Sequence, residues 1–125
     1  MTRQSGKDCD IARALKAIGD RWVLLIIRDL FFQGHCRFSD FLKTIDDINP
    51  TTLSNRLKQL EDSGLIERRI YSERPPRAEY HLTEAGKDLK PVLIAMMEWG
   101  RRHRGIDLDD VLPAKRHASQ NKRRA

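Results

Sequence analysis

PTTLSNRLKQLEDSGLIERRIYSERPPRAEYHLT, residues 50–83, decides the fold. Asn49 stands where a side-chain N-cap is wanted, Pro50 fits the first helical position, and Gly64 fits a left-handed C-terminal cap, so the spacing predicts a helix from Pro50 to Ser63. At about 100° per residue, Leu53, Leu57 and Leu60 stack on one face. Thr51, Asn55 and Lys58 lie opposite, flanked by Thr52, Ser54 and Gln59, and no acid interrupts this outer face before Glu61. Phosphate oxygens and base edges call for hydrogen-bond donors and small polar groups and repel carboxylates, so such a face suits the major groove of a duplex. An ordinary solvated helix face normally mixes in Glu and Asp, which this one lacks.

Beyond Gly64, the alternating stretches Leu65 to Tyr71 and Ala78 to Leu82 predict two strands, with SERPPR between them too short for a helix. Pro75 and Pro76 restrict this loop and reduce the entropy lost when Arg74 and Arg77 are held in place. The two arginines either press against a DNA backbone or minor groove, or pair with Glu73 and Glu79 on a solvated loop.

Outward from this device, Ile11, Ala12, Leu15 and Ile18 recur at helical spacing before Gly19, predicting a short first helix packed on the core. Asp20 caps the next, RWVLLIIRDLFF, apolar almost all round and so expected in the core or between subunits. HCR at 35–37 reads as a short strand or extended link, and FSDFLKTI as a third helix with Phe38, Phe41 and Leu42 turned inward. Asp46 to Asn49 forms the turn to the helix at Pro50, and Asp and Asn tolerate unusual backbone angles there. The expected class is mainly α with a small β-hairpin: a winged helix-turn-helix with terminal dimerisation helices.

TEAGKDLKPVLIAMMEWGRR then predicts a last helix from Thr83, kinked but not broken at Pro91, with Leu89, Val92, Leu93, Met96, Trp99 and Gly100 along one side. With no core left for this stripe to fill, it is expected to pair with a second copy, with Trp22 also at the interface. The alternative is that the helix folds back on its own domain.

The chain has 125 residues, the length of one domain, and a formal net charge of +6. Most of the excess lies late: residues 1–100 carry 16 basic and 15 acidic groups, residues 101–125 carry 8 and 3. Bulk charge is therefore weak support for nucleic-acid binding, and the placement of Arg56, Lys58, Arg68, Arg69, Arg74 and Arg77 carries more. Residues 1–8 are expected to be a flexible N-terminus, 9–104 the folded domain with its dimerisation helix at about 84–103, and 105–125 a basic, disordered tail. No secretory signal and no apolar run of about 18 residues is present, which predicts a soluble, cytoplasmic protein without a membrane partner.

His35, His81, His103 and His117 lack metal-site spacing, Cys9 and Cys36 form no ligand or disulfide pattern, and no phosphate loop or nucleophile motif occurs, so no metal, cofactor or catalytic residue is expected. A protein-interaction adaptor and a non-specific architectural DNA binder remain as alternative functions.

With these pieces placed, the chain resembles the HxlR-type winged-helix regulators, bacterial relatives of the MarR group. The resemblance covers roughly residues 9–102 and rests on Cys9, GDRWVLLIIRDL at 19–30, RFSDF at 37–41, INPTTLSNRLKQLEDSGLIERRIY at 48–71, PPRAEYHLTEAGKDL at 75–89 and EWG at 98–100. It implies a homodimeric transcription regulator on an inverted-repeat operator, responsive to a small molecule or an oxidant. Some members sense oxidants through an N-terminal cysteine, and that position falls on Cys9 here. The basic extension departs from the family's usual end. The candidate DNA contacts are Thr51, Thr52, Ser54, Asn55, Arg56 and Lys58 on the helix, and Arg74 and Arg77 on the wing.

Overall fold

A computed structural model describes residues 9–107 of the chain. In order these form α1 (Asp10–Ile18), α2 (Arg21–Gln33), β1 (His35–Arg37), α3 (Phe38–Thr44), α4 (Pro50–Asp62), β2 (Ile66–Glu73), β3 (Pro76–Leu82), α5 (Glu84–Lys87) and α6 (Lys90–Arg102). The mainly helical fold with a small antiparallel sheet agrees with the sequence. The predicted N-terminal segment 1–8 and the tail from 108 onward lie outside the described residues.

The core forms because three helices turn one apolar face to a common centre. Val23, Ile26, Ile27 and Leu30 of α2, Phe41 of α3, and Leu53, Leu57 and Leu60 of α4 are all buried, joined by Cys36, Ile45, Ile66 and Leu82. Each large side chain so buried contributes roughly 1.5–3 kcal/mol. Among the described residues, Asp29 is the one charged residue buried with them. Its carboxylate accepts from Arg28 Nε at 3.0 Å and Nη2 at 2.9 Å, and from the Thr44 hydroxyl, which ties α2 to the end of α3.

The sheet has strand order β1-β3-β2, all antiparallel. HCR is thus a true strand, pairing Cys36 with Tyr80 and anchoring the hairpin to the helical core. The wing strands run longer than the sequence indicates, Ile66–Glu73 and Pro76–Leu82, so only Arg74 and Pro75 remain in the turn. Pro76 is accommodated because it is the first residue of its strand. A bulge at Tyr71 breaks the register, with Ile70 facing Ala78 and Ser72 facing Arg77.

Three expectations need correction. First, α1 does not bury its stripe: Ile18 is buried, but Ile11 is 71% exposed and Leu15 59%. Nine residues suffice for one contact point near the α1–α2 corner, not for a packed face. Second, α3 turns in only Phe41 fully, while Phe38 is half-buried and Leu42 exposed, because a seven-residue helix offers just one inward turn.

Third, the single kinked helix after Thr83 is broken. Pro91 has no N–H for the Lys87 carbonyl, so α5 closes with Leu89 N–H donating to Gly86 O at 3.1 Å. The chain restarts at Lys90, placing Pro91 in the first turn of α6, where no donor is required. The short α5 is fixed by Thr83, whose Oγ1 accepts from Gly86 N–H at 3.2 Å and donates to Gly64 O at 2.6 Å. Gly86 is packed so closely that a Cβ there would lie 2.2 Å from Leu65 O and 2.9 Å from Leu82 Cδ2. The chain divides after Pro91 into two compact units. Within the second, Met96 is 49% and Trp99 52% exposed, and the Trp99 and His103 rings lie 4.8 Å apart. No helix among the described residues is long and apolar enough to cross a membrane.

Candidate nucleic-acid interface

The start and end of α4 follow from its capping residues. Asn49 Oδ1 accepts from Thr52 N–H at 2.8 Å, and Pro50 opens the helix. At the far end Gly64 takes φ 82°, which lets Leu65 N–H return to Leu60 O at 3.0 Å and turns the chain into β2. Before α4, Asp47 adopts φ 69° in the tight turn from α3, a conformation that Asp tolerates. Buried Ile45 and Ile48 flank that turn, so α3 and α4 keep a fixed crossing as a helix-turn-helix pair.

With Leu53, Leu57 and Leu60 facing inward, Thr51, Ser54, Asn55 and Lys58 are exposed and Thr52 is half-buried. Lys58 Nζ lies 3.6 Å from Asp62 Oδ1, an exposed pair one turn apart. Arg56 differs from its neighbours. Its Nε donates to Asp20 Oδ2 at 2.7 Å, and both side chains are about 30% exposed (28% and 29%). Asp20 is also the N-cap of α2, accepting from Trp22 N–H at 2.6 Å and Val23 N–H at 3.3 Å. Burial pushes the Asp20 pKa up, but the Trp22 amide and the Arg56 guanidinium outweigh it and hold the carboxyl below its ordinary value. The sequence placed Arg56 on the DNA-facing flank; the structure gives its Nε an internal partner.

On the wing, Arg74 and Arg77 are exposed and have no ion-pair partner among the described residues. The pairing with Glu79 that the sequence left open does not occur. Glu79 instead lies 3.0 Å from His81 Nε2 and 3.8 Å from His35 Nε2, and the two imidazoles stack at 5.3 Å. The His81 hydrogen bond holds the Glu79 carboxyl below its ordinary value. Arg37 lies over the Tyr71 ring at 4.4 Å, linking the bulge to the start of α3. No sequence signal marked this contact, since the two residues meet only through β3.

The two cysteines have different surroundings. Cys36 is buried, its Sγ 3.8 Å from Asp29 O; burial, reinforced by Asp29 and Asp40, pushes the thiol up to about 12. Cys9 is a half-buried thiol at the N-cap of α1, without a side-chain capping bond. Among the predicted dimer residues, Val92, Met96 and Trp99 are exposed, while Trp22, Leu89 and Leu93 are half-buried. Arg21 covers the Trp22 ring at 4.5 Å. Phe32, part of the apolar run expected in the core or between subunits, is 71% exposed and so is not in the core.

Comparison with known proteins gives the same architecture. The HxlR-like helix-turn-helix family model matches residues 17–107. An uncharacterised HTH-type transcriptional regulator of Mycobacterium tuberculosis is 46% identical over 90 residues, 72% of this chain and 56% of the relative, so the chain spans about half the length of that relative. YdeP of Bacillus subtilis, also an uncharacterised HTH-type transcriptional regulator, is 36% identical over 110 residues, 88% of this chain and 84% of its own. Among solved structures, the redox regulator HypR in its oxidised form superposes with a TM-score of 0.72 at 33% identity, covering 78% of this chain and all of that one. The reduced transcriptional regulator YodB of B. subtilis gives 0.64 at 35% identity, over 76% of this chain and 93% of that one.

Proposed function

The chain belongs to the HxlR-like helix-turn-helix family of DNA-binding transcriptional regulators, which are not enzymes, and from that premise we propose that it acts in the cytoplasm as a homodimer on an inverted-repeat operator. The observation that carries the proposal is the outer face of α4: Thr51, Ser54, Asn55 and Lys58 stand exposed over a helix locked from behind by three buried leucines. Asn55 suits base reading, through the paired donor and acceptor of its amide. Thr51, Thr52, Ser54 and Lys58 supply further base and phosphate contacts. Arg56, held at Nε by Asp20, keeps its terminal nitrogens for phosphate. Arg74 and Arg77, exposed on the wing with no ion-pair partner among the described residues, suit the flanking backbone or minor groove.

Dimerisation is supported by Val92, Met96 and Trp99, which recur at helical spacing on α6 and are all exposed. Two copies would present their recognition helices about one helical turn apart, roughly 34–36 Å, or a multiple of it. The effector is a small molecule or an oxidant, with Cys9 as the candidate sensing thiol. HypR, a redox regulator solved in oxidised and reduced forms, supports that part of the reading, and the buried Cys36 thiol, shifted to about 12, leaves Cys9 as the reactive candidate.

The test is binding of the full chain to its own upstream intergenic duplex and to a scrambled duplex across a salt series, with and without a mild oxidant. Specific binding that responds to oxidant, and loses the response in Cys9→Ser, is the expected result. Specific binding indifferent to oxidant would exclude Cys9 and leave a small ligand. Equal, steeply salt-dependent affinity for both duplexes would overturn sequence-specific regulation altogether.

A further inference from the structure

A cleft of about 520 Å³ opens between the end of α2, the wing strands and the start of α6, lined by Leu30, Phe31, Gly34, Arg69, His81, Leu82, Lys87 and Lys90. None of these eight is acidic. Leu30 and Leu82 are buried and Phe31 half-buried, which gives an apolar floor. Arg69, Lys87 and Lys90 give a cationic rim. Arg69 is oriented by its ion pair to Glu67, and Lys87 Nζ lies 3.7 Å from Glu84 Oε2. Lys90 has no ion-pair partner among the described residues. His81 adds an imidazole, already held at Nε2 by Glu79 at 3.0 Å and stacked on His35.

A second hollow of similar size lies on the outer face of α4, but it is lined by Asn55, Lys58, Gln59, Asp62 and Ser63. None of its five lining residues is apolar, and one of them, Asp62, is acidic. The two hollows therefore differ in kind. The first has the size of small-molecule sites, which run from about 300 to 1,000 Å³, and it brings three apolar side chains together with four basic ones.

We infer that this cleft binds a small organic monoanion with an apolar, ring-sized body, the body on Leu30, Phe31 and Leu82 and the anionic group toward Lys87 and Lys90. Charge alone does not explain the floor, and a neutral apolar compound leaves Lys90 without an ion-pair partner among the described residues. Arg69, His81 and Leu82 belong to the two wing strands, so the occupant touches the root of the wing. Any effect on operator binding rests on the function proposed above; the binding itself does not.

The experiment is calorimetric titration of the full chain with 2-naphthoate, its neutral analogue 2-naphthalenemethanol, and inorganic phosphate. Naphthoate is expected to bind at least about tenfold more tightly than either comparison compound, and Lys87→Gln/Lys90→Gln to weaken it by about tenfold or more. Methyl resonances of Leu30 and Leu82 in the unsubstituted protein should shift with naphthoate, which locates the site without relying on a variant. Phosphate binding as tightly as naphthoate would mean a bare charge site and overturn the inference. So would absent naphthoate binding, unmoved Leu30 and Leu82 methyls, or an unchanged affinity in the double variant. No DNA enters these readouts, so they stand apart from the operator test.

Discussion

Arg56 Nε donates to Asp20 Oδ2 at 2.7 Å, joining the middle of α4 to the N-cap of α2. The same carboxylate caps α2 through Trp22 and Val23. One side chain thus starts a helix and fixes the rotation of another, which makes Arg56 a positioning residue for the face that carries Asn55.

Asp20→Asn separates these two tasks, because Asn caps about as well as Asp but leaves Arg56 without its ion pair. Since the pair is partly solvated, the expected loss at neutral pH is about 1 kcal/mol. The folded carboxyl sits below its ordinary value of 3.8. Its contribution is therefore complete above that pH and disappears as the pH falls through the lowered folded value. Melting temperatures of variant and parent, separated at pH 5 to 7, should converge in acid below about pH 3.8. A gap that persists unchanged in strong acid would show that the ion pair is not the cause.

Asn55→Ala and Arg77→Ala should differ in kind. Loss of Asn55 is expected to relax preference at one base position by roughly 1–3 kcal/mol while sparing random DNA. Loss of Arg77 should weaken all sequences alike and reduce the salt slope by about one. Competition binding on single-base operator variants distinguishes them; equal losses on operator and random duplex for Asn55→Ala would refute base reading.

Gly86→Ala tests the fastening of α5. The added methyl would lie 2.2 Å from Leu65 O, a backbone atom that also accepts from Thr83 N–H at 3.1 Å. Overpacking of this kind costs roughly 1–3 kcal/mol. Chemical denaturation should show a lowered midpoint with an unchanged slope, and an unaltered midpoint would mean that Leu65 gives way freely.

Met96→Glu and Trp99→Glu place charge in the exposed apolar face of α6. If that face joins two copies, sedimentation should show dimers becoming monomers and operator affinity falling at least about tenfold, since half-sites are then bound singly. A variant that sediments like the parent would remove this face from the interface.

Much of this architecture was legible in sequence because it is local. Asn49, Pro50 and Gly64 bracket α4 through contacts within a few residues, and the Leu53-Leu57-Leu60 spacing leaves one choice of inner face. Asp47 at positive φ follows from the short turn it occupies. What stayed hidden depends on distance along the chain. Asp20 meets Arg56 across 36 residues, and Arg37 meets Tyr71 only because β1 joins β3. Pro91 marks a disruption in the sequence, but whether a helix bends or restarts depends on whether Thr83 and Gly86 fasten the preceding turn, and those contacts involve Gly64 and Leu65. Ile11 and Leu15 have the spacing of a core helix; spacing does not say whether the core or another copy covers them.

The bulge at Tyr71 makes substitution and deletion unlike events at this position. Paired residues share a face of the sheet, and Ile70 opposes Ala78 while Ser72 opposes Arg77. The extra residue therefore reverses the parity of β2 on its way to the tip. Replacing Tyr71 would remove the ring under Arg37 and leave that parity alone. Losing its codon would change no charge and would leave Ser72 opposite Arg77 and Glu73 opposite Pro76 in a now regular ladder, at the cost of the local bend and twist that the bulge supplies. In the inheritance of this wing, gain or loss at position 71 alters curvature, while the pairs on either side keep the register.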